Sequence, residues 1–207
     1  MRESTRALLE AMRADGIPPG RSGLWAVKKA ALVHEREGYP GREPVPPGLY
    51  TSLMRVTACS PTGYSVMCDD PVELSRHLEG VISARGRVLV TGLGLGCVLR
   101  GLLCNPRVAH VDVLERSAHV MKLVEPYLPR SERYTIHVAE AEGWLRANRG
   151  RRWDYAWHDV WTDESGGEEH LSVKHAKLMS LVRGRVGAQG AWALPRWLRR
   201  SLAARGI

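Results

Sequence analysis

From residue 87 onward, short apolar runs alternate with helical patterns at a regular spacing. The runs RVLVTG, VAHVDVLER, YTIHVAEA, DYAWHDV and AQGAWAL have the length and composition of buried strands, and a helical segment follows each of them. Strands that alternate with helices in this way build βαβ units, in which the strands are parallel and helices cover both faces. The sequence therefore predicts an α/β fold with a doubly wound, mostly parallel sheet.

The first 45 residues follow a different pattern. A short helix is predicted to begin after Ser4, a favourable N-cap. The segment LWAVKKAALVHEREG, residues 24–38, is interpreted as a second amphipathic helix. Because the Pro/Gly-rich stretch 39–48 is the best boundary candidate, we expect an N-terminal helical extension over residues 1–45 and one domain over residues 46–207.

Residues 49–68 have the alternation and the turn chemistry of a β-hairpin, with the turn SPTG at residues 60–63. The next segment has the signals of a helix start. Asp70 is the expected N-cap, Pro71 occupies the first helical position, and Glu73 completes a capping box. We give this structural interpretation of both carboxylates more weight than a catalytic one.

Composition and spacing exclude several classes of protein. No apolar run approaches the roughly 18–20 residues that a membrane helix needs, and the N-terminus lacks the apolar core of a secretory signal. The four cysteines show no CxxC pairing, so we interpret them as reduced thiols of a cytoplasmic protein with no membrane partner. His170 and His175 lie five residues apart with no cysteine beside them, and no metal site is predicted.

The net charge of +8 is concentrated in the C-terminal part of the chain. Residues 171–207 carry eight lysines and arginines and no acidic residue, whereas residues 1–170 carry 22 basic and 22 acidic residues. A cationic tail is weak evidence for an anionic partner. The alternatives are a nucleic acid bound through this basic C-terminal tail and a solvated helix face.

The segment VLVTGLGLGC places Gly92, Gly94 and Gly96 between a predicted strand and a predicted helix. Glycine at such positions allows a sharp turn and a close approach of the backbone to a ligand. Glu115 ends the next strand about twenty residues later, where a carboxylate accepts both hydroxyls of a ribose. Since Cys97 stands where the dinucleotide fingerprint GxGxxG requires glycine, the spacing is GxGxG. Together these features predict a site for a nucleotide-like ligand.

These motifs resemble those of class I S-adenosylmethionine-dependent methyltransferases, in particular the spermidine-synthase branch and small methyltransferase-like proteins of phages and actinobacteria. The resemblance rests on RVLVTGLGLGCVLRGLL, HVDVLERS, YTIHVAEAEGWL and WDYAWHDVW, and it covers about residues 64–195. It implies a Rossmann-like methyltransferase fold that is truncated after the fifth strand, because the usual sixth and seventh strands are missing. It also implies S-adenosylmethionine as the cofactor.

The resemblance further implies which residues bind that cofactor. The expected residues are Thr91, Gly92, Leu93, Gly94, Gly96, Glu115, Arg116, Glu140, Ala141 and Asp159. The glycines would face the methionine moiety, Glu115 the ribose, and Glu140 the adenine amino group. Two positions depart from the family pattern: Glu140 stands where aspartate is usual, and Val90-Thr91 where many methyltransferases carry an acidic residue.

The stretch WDYAWHDVW, residues 153–161, is interpreted as the fourth strand of the sheet. Ligands of open α/β sheets bind at the carboxyl ends of strands, so Asp159 is expected between the cofactor and the acceptor. Alternation places Trp157 in the core, while Trp161 lies beyond the strand and is expected to form a wall of the acceptor pocket. His158 is a candidate general base, and a buried structural histidine is an equally good interpretation.

Four functions stay open at this point. The first is a methyltransferase acting on an unidentified small-molecule or macromolecular acceptor. The second is a polyamine aminopropyltransferase, because acidic residues cluster after Asp159; they are Asp163, Glu164, Glu168 and Glu169. The third is methylation of a DNA base, and the fourth is a non-catalytic cofactor-binding or interaction module. All four are compatible with a monomer or an oligomer.

Overall fold

The computed structural model describes residues 3–34, 44–160, 167–192, 194–195, 197–198 and 200, with residues 167–172 described by their backbone alone. The chain forms two compact units. The antiparallel unit comprises Met1–Leu78, Gly94–Cys104 and Ser117–Arg130, and the parallel unit comprises Glu79–Leu93, Asn105–Arg116 and Ser131–Ile207. Each unit contains one of the two β-sheets. The domain boundary predicted between residues 45 and 46 stays a prediction.

Seventeen elements follow one another along the described part of the chain. In chain order they are α1 (Glu3–Met12), β1 (Gly20–Ser22), β2 (Trp25–Leu32), β3 (Gly48–Thr57), β4 (Ser60–Cys68), α2 (Pro71–Ser75), α3 (Leu78–Ser83), β5 (Gly86–Thr91), α4 (Cys97–Cys104), β6 (Val108–Glu115), α5 (Ala118–Val124), a 3₁₀ turn (Glu125–Tyr127), β7 (Tyr134–Val138), α6 (Ala141–Ala147), β8 (Trp153–His158), α7 (Gly167–Val182) and β9 (Val186–Ala191).

Four antiparallel strands form the sheet of the antiparallel unit, in the order β1-β2-β3-β4. The predicted hairpin is confirmed as β3 and β4, but its turn lies at residues 58–59 rather than at 60–63, since Thr57 pairs with Ser60. Gly63 has a φ of +79° and lies where the register of the pair shifts. The turn-like residues 60–63 therefore make an irregularity within β4 instead of the hairpin turn.

The helix predicted over residues 24–38 is wrong in its described part, because Trp25–Leu32 is strand β2. All eight residues of β2 pair with β3, and β1 pairs with the other edge of β2. Trp25, Ala26 and Val27 are consecutive and all buried, which suits a strand covered on both faces and not a surface helix. Pairing on both edges thus outweighs the helix propensity of the Lys-Ala-rich middle of the segment.

Two adjacent aspartates organise the chain after β4. Asp69 is buried and accepts hydrogen bonds from the backbone N–H groups of Ala14 at 3.0 Å and Thr51 at 2.6 Å, which ties the chain after α1 to β3. Asp70 is the N-cap of α2, as predicted, and its Oδ1 accepts from two N–H groups of the first turn. The first predicted helix is confirmed as α1, although α1 includes Ser4 instead of being capped by it.

The parallel unit contains the predicted sheet. Its strand order is β7-β6-β5-β8-β9, and every neighbouring pair is parallel. Val88, Leu89 and Val90 of the central strand β5 are almost fully buried, as expected of a strand covered on both faces. Strand order reverses between β5 and β8, which makes the carboxyl ends of these strands the switch point of the sheet. Within the described residues the sheet has five parallel strands, which confirms the predicted α/β fold.

Free thiols account for all four cysteines, in agreement with their interpretation as reduced side chains. Cys59 and Cys104 are exposed, and Cys97 is buried at the start of α4. None of the helices in the described part of the chain combines the length and the apolar character needed to cross a bilayer.

Trp157 lies in the core of the parallel unit, as predicted, and is 2% exposed. Its ring packs against two glycines: a Cβ at Gly80 would lie 2.5 Å from the indole, and a Cβ at Gly190 would lie 2.8 Å from it. The ring therefore fills the volume that side chains on α3 and β9 would otherwise take. In a chain without phenylalanine, tryptophan supplies this large aromatic volume.

A buried carboxylate joins β6 to three other strands of the parallel unit. Asp112, in the middle of β6, accepts a hydrogen bond from Trp153 Nε1 at 2.8 Å. It also pairs with Arg87, His137 and Arg151, each at 3.2 Å. Burial by itself raises the pKa of Asp112, but hydrogen bonds from Trp153, His137 and Arg87 outweigh burial and lower it. Asp112 is thus an ionised structural carboxylate.

Asp112→Ala should destabilise the protein by about 1–3 kcal/mol at neutral pH, because the buried indole N–H of Trp153 loses its acceptor. Since the folded-state pKa of Asp112 is lowered, its stabilisation is present above the pKa of an unfolded aspartate, about 3.9, and is lost as pH falls through the folded value. Urea denaturation at pH 7 and below pH 4 should therefore show a difference from wild type that shrinks in acid. Glu132→Ala, at an exposed site, is the control, and an equal loss in both variants would contradict this role.

Candidate active site

The loop between β5 and α4 has a backbone that glycine adopts most readily. The φ angles are +96° at Gly92, +53° at Gly94 and +78° at Gly96, all in the left-handed region. Alternate left-handed positions turn the chain out of β5 and into α4, which begins at Cys97. This geometry explains the spacing GxGxG, because Cys97 is already helical and has no need of a positive φ.

Gly92 lies directly against the backbone at the end of β8. A Cβ at Gly92 would overlap the carbonyl oxygen of Asp159. The N–H of Asp159 donates to the carbonyl of Thr91 at 2.8 Å, so the two strand ends are held together beside this contact. Protein packing therefore requires glycine at position 92. The same packing fixes the backbone of Asp159 beside the first residue of the glycine loop.

Protein side chains also lie beside the other two glycines. A Cβ at Gly94 would overlap Sδ of Met67, and this sulfur accepts a hydrogen bond from the N–H of Leu95 at 3.1 Å. A Cβ at Gly96 would lie 2.5 Å from Cδ2 of Leu128. No sequence motif singles out Met67 beyond its place in the segment GYSVMCDDPVE, and only the structure shows its contact with the loop.

Glu115 reaches the loop from the end of β6, the strand beside β5. Its Oε2 accepts a hydrogen bond from the N–H of Leu93 at 3.0 Å, and the residue is 7% exposed. The structure therefore brings the carboxylate and the first half of the loop together, although 22 residues separate them along the chain. Arg116, the next residue, is exposed. Binding of a ribose by Glu115 stays a prediction.

Asp159 is the carboxylate at the end of β8, which adjoins β5 on the side opposite β6. Withdrawal from water raises the pKa of Asp159 to about 7, and the negative charge of Glu115 adds to the rise. An ordinary aspartate is fully ionised at neutral pH, whereas Asp159 takes up and releases a proton there. A pKa near the working pH suits a group that exchanges a proton with a substrate.

His158 contacts the neighbouring strands of the sheet. Its Nδ1 lies 3.1 Å from Oγ1 of Thr91 on β5, and its Nε2 lies 3.3 Å from Oε1 of Gln189 on β9. Burial lowers the pKa of His158 to about 3, and the nearby His175 contributes to the shift. These contacts favour a structural role for His158 over a role as general base. Buried Thr91 is its hydrogen-bond partner on β5.

His175, on α7, fixes the chain just after Asp159. Its Nε2 accepts a hydrogen bond from the N–H of Val160 at 3.1 Å. Burial lowers the pKa of His175 to about 4, although hydrogen bonds with the backbone of Val160 and Trp192 act in the opposite direction. The neutral ring is therefore the acceptor that holds the end of β8. Within the described ranges, no three His, Cys, Asp or Glu side chains form a group that could hold a metal ion.

Glu140 follows β7 and is the N-cap of α6. Its Oε2 accepts from the N–H of Gly143 at 2.8 Å, and its Oε1 lies 3.4 Å from Nζ of Lys174. Burial by itself raises the pKa of Glu140, but the N–H groups of the first helical turn and Lys174 outweigh it and lower the value. Ala141, the first residue of α6, packs in the core. The predicted contact of Glu140 with adenine stays a prediction beside this capping role.

Several predicted residues of the acceptor side lie outside the part of the chain that can be described. Trp161, Asp163 and Glu164 fall in the gap at 161–166, and residues 167–172 are described by their backbone alone. The expected pocket wall and the expected acidic trench therefore stay predictions.

Comparison with known proteins bears on the fold. No protein-family model and no curated protein matches the chain. Among solved structures, a spermidine synthase in complex with the transition-state analogue AdoDATO matches with a TM-score of 0.56 and 19% identity, over 92% of this chain and 63% of that chain. A spermidine synthase from Thermotoga maritima matches with a TM-score of 0.50 and 16% identity, over 82% of this chain and 52% of that chain.

A putative S-adenosylmethionine-dependent methyltransferase from Streptococcus mutans matches with a TM-score of 0.52 and 10% identity, over 75% of this chain and 43% of that chain. The fold is that of class I methyltransferases. At these identities the likeness concerns the fold alone. The aligned part of the chain also spans less than two thirds of the length of each of these three proteins.

Gly92→Ala should destabilise the protein by more than about 2 kcal/mol. A left-handed backbone costs an L-residue about 1–2 kcal/mol, and the new Cβ also overlaps a backbone oxygen that is held by the Asp159–Thr91 hydrogen bond. Urea denaturation measures the loss.

Gly150→Ala is the matched control, because a Cβ at Gly150 meets nothing within 4 Å, and its change should stay within about 0.5 kcal/mol. Gly94→Ala should fall between the two, since its Cβ meets the flexible end of Met67 instead of backbone. Equal stability of the Gly92 and Gly150 variants would show that the close approach of the two strand ends is not a constraint.

Proposed function

We propose that the protein is an S-adenosylmethionine-dependent transferase that moves a methyl group to an acceptor yet to be identified. One observation carries the proposal: three adjacent strands, β6, β5 and β8, end in Glu115, in the glycine loop and in Asp159. These ends meet at the switch point, where open α/β sheets bind their ligands. The class I methyltransferase fold supports the same assignment.

The residues at these strand ends fit the chemical groups of the cofactor. Glu115 offers a buried carboxylate to the hydroxyls of a ribose, and Glu140 offers an ionised carboxylate to an adenine amino group. When bound, S-adenosylmethionine supplies a methyl group on a positively charged sulfur, and the leaving group is a neutral thioether.

Asp159 is the residue to which we assign contact with the acceptor. Its carboxylate is suited to accept a hydrogen bond or a proton from an amine or hydroxyl, since its pKa is about 7. Its main chain is fixed at both ends, by the carbonyl of Thr91 and by the bond from Val160 to His175. Alignment of a nucleophile depends on such fixed groups, because misplacement by about 1 Å is costly in rate.

A second candidate is aminopropyl transfer to a polyamine with the decarboxylated cofactor. The likeness to the spermidine synthase with AdoDATO extends over 92% of this chain, more than the parallel unit alone. In addition, the loop N–H groups of Leu93 and Leu95 already donate to Glu115 and Met67. Fewer N–H groups of the loop are then left to bind the carboxylate of S-adenosylmethionine. The decarboxylated cofactor lacks this carboxylate, so the arrangement favours it.

Methylation of a DNA base and a non-catalytic module have less support. At the end of β8 the sequence reads HDVW, without the two prolines that follow the first residue of the motif in amino-methyltransferases of DNA. A module that binds the cofactor without catalysis would keep the same glycine loop and Glu115. An activity measurement, and not the geometry of the site, therefore distinguishes it from a transferase.

Calorimetric titration of the full chain with S-adenosylmethionine and with its decarboxylated form tests these assignments. We expect S-adenosylmethionine to bind more tightly. Tighter binding of the decarboxylated form would instead support aminopropyl transfer, and binding of neither would contradict both transferase assignments.

Glu115→Gln should weaken the binding of S-adenosylmethionine by about 10–100-fold, because hydrogen bonds to a charged acceptor contribute about 1.5–3 kcal/mol. The glutamine oxygen keeps an acceptor for the N–H of Leu93, so the loop should stay folded. Glu132→Gln removes the same charge at an exposed site and should bind like wild type. Unchanged affinity of the Glu115 variant would remove this residue from the site.

Asp159→Asn should raise the stability of the protein at alkaline pH. The folded-state pKa of Asp159, about 7, lies above that of an unfolded aspartate, about 3.9, so wild-type stability falls as pH rises between these values. Asparagine carries no charge at any pH. The Tm of Asp159→Asn relative to wild type should therefore increase from about pH 4 to pH 7 and level off above it.

Asp154→Asn is the control for this measurement, because Asp154 lies at the exposed amino end of the same strand. Its Tm difference from wild type should not follow that pH course. A pH-independent difference for Asp159→Asn would contradict the raised pKa and, with it, proton exchange near neutrality.

A further inference from the structure

An arginine stands immediately before every strand of the parallel sheet. The five residues are Arg85, Arg107, Arg133, Arg152 and Arg185, and strands β5, β6, β7, β8 and β9 begin at the next residue. Because all five strands are parallel, their amino ends lie at the same edge of the sheet. The five arginines therefore form a row. We call this row, together with the other arginines of the same loops, the arginine edge.

The loops at this edge carry a strong excess of positive charge. They are residues 83–87, 105–108, 131–134, 148–154 and 183–186, and they contain nine arginines, no lysine and two acidic residues. The acidic residues are Glu132 and Asp154. Buried Asp112 neutralises part of the charge through Arg87 and Arg151. Even with Asp112 included, the arginine edge has a net positive charge.

Backbone carbonyls hold several of these side chains in place. Arg152 donates to the carbonyl of Gly184 at 3.0 Å, and Arg107 donates to the carbonyl of Ile82. A carbonyl orders a guanidinium without cancelling its charge, and each guanidinium has five N–H donors. Arg107 and Arg152 are therefore positioned and still charged on an exposed surface.

Arg185 shows how closely the positive charges of two loops approach one another. It donates to carbonyls of residues 145, 148 and 181. Burial lowers the pKa of Arg185, and repulsion from Arg149 and Arg152 adds to the effect. The loops before β8 and β9 thus converge into one positive surface.

We propose that the arginine edge binds the phosphate backbone of a double-stranded nucleic acid. Adjacent strands of a sheet lie about 4.8 Å apart, so five strands span about 19 Å. A duplex segment of this length carries about five or six phosphates on each strand, because the spacing along the axis is about 3.4 Å per strand. Arginine suits such a partner because its planar group binds phosphate oxygens in a bidentate manner.

Other partners fit this surface less well. A membrane surface is bound by side chains that pair basic residues with large apolar ones, and of the described residues in or next to these loops, Ile82 is the exposed large apolar side chain. Single strands are bound by exposed aromatic platforms, whereas Trp153, the tryptophan of the 148–154 loop, is buried. Tyr134, in the 131–134 loop, is half-buried, so no aromatic side chain described in these five loops is fully exposed. The row of guanidinium groups therefore favours a duplex, bound through phosphates and without sequence preference.

This surface differs from the basic C-terminal tail considered from the sequence. Lys174 pairs with Glu140 at 3.4 Å and Lys177 pairs with Glu142 at 2.8 Å, so part of the charge of the tail is neutralised. Two arginines of the tail, Arg183 and Arg185, belong to the arginine edge through their position before β9.

Fluorescence anisotropy of labelled duplexes tests the proposal with the full chain. Duplex DNA and duplex RNA of about 20 base pairs and arbitrary sequence are titrated at about 50–200 mM salt. We expect binding that weakens steeply with salt, and binding to either duplex supports the proposal, the tighter of the two identifying the polymer. The triple variant Arg85→Gln/Arg149→Gln/Arg183→Gln should bind at least about tenfold more weakly, with a salt slope smaller by about 2–3.

The matched control is Arg6→Gln/Arg21→Gln/Arg130→Gln, which removes the same charge from exposed sites of the antiparallel unit. It should lose much less affinity than the first triple variant. Equal losses in the two variants, no binding of either duplex by wild type, or tighter binding to phosphatidylserine vesicles than to both duplexes would each overturn the proposal. Thermal melting of both variants confirms folding, and titration with S-adenosylmethionine, expected to be unchanged, keeps this test separate from that of the transferase.

Discussion

The approach of two strand ends, β5 at Gly92 and β8 at Asp159, is the constraint on which the candidate site depends. Asp159 donates its N–H to Thr91 and places its carbonyl against the space where a side chain at position 92 would lie. His175 continues the arrangement by accepting the next N–H, that of Val160. The backbone of Asp159 is therefore held at the switch point by its own N–H and by the N–H of the next residue.

The groups around each buried carboxylate of this sheet decide whether the rise in pKa caused by burial is reversed. Asp112 and Asp159 are both withdrawn from water, and burial by itself raises the pKa of each. Arginines, a histidine and an indole N–H surround Asp112 and lower its pKa, which makes it a structural anion. The charge near Asp159 is instead that of Glu115, and it raises the pKa further. A like charge close to a desolvated acid is typical of functional sites, and the same arrangement costs stability at high pH.

The parallel sheet could be predicted from the sequence because its signal is local: each buried strand and each helix has its own apolar pattern. Strand β2 could not be predicted in this way, because all eight of its residues pair with β3, which follows only after residues 33–47. The glycine loop and Glu115 were found together, since their spacing is fixed by one βαβ unit. The contact of Met67 with Leu95 was not predicted, because it joins segments 28 residues apart and no sequence motif marks a methionine that contacts a loop.

Charge of opposite sign collects at the two ends of the parallel strands, and their separation matters for what each end binds. A strand of six residues such as β5 is about 20 Å long, whereas the screening length at physiological salt is about 8 Å. The arginine edge and the two carboxylates therefore act almost independently. In the proposed assignments, a phosphate backbone at the amino ends is a docking partner, and an acceptor at Asp159 approaches Glu115 as well. Two neighbouring carboxylates favour an amine or a hydroxyl at that position over any group that carries negative charge.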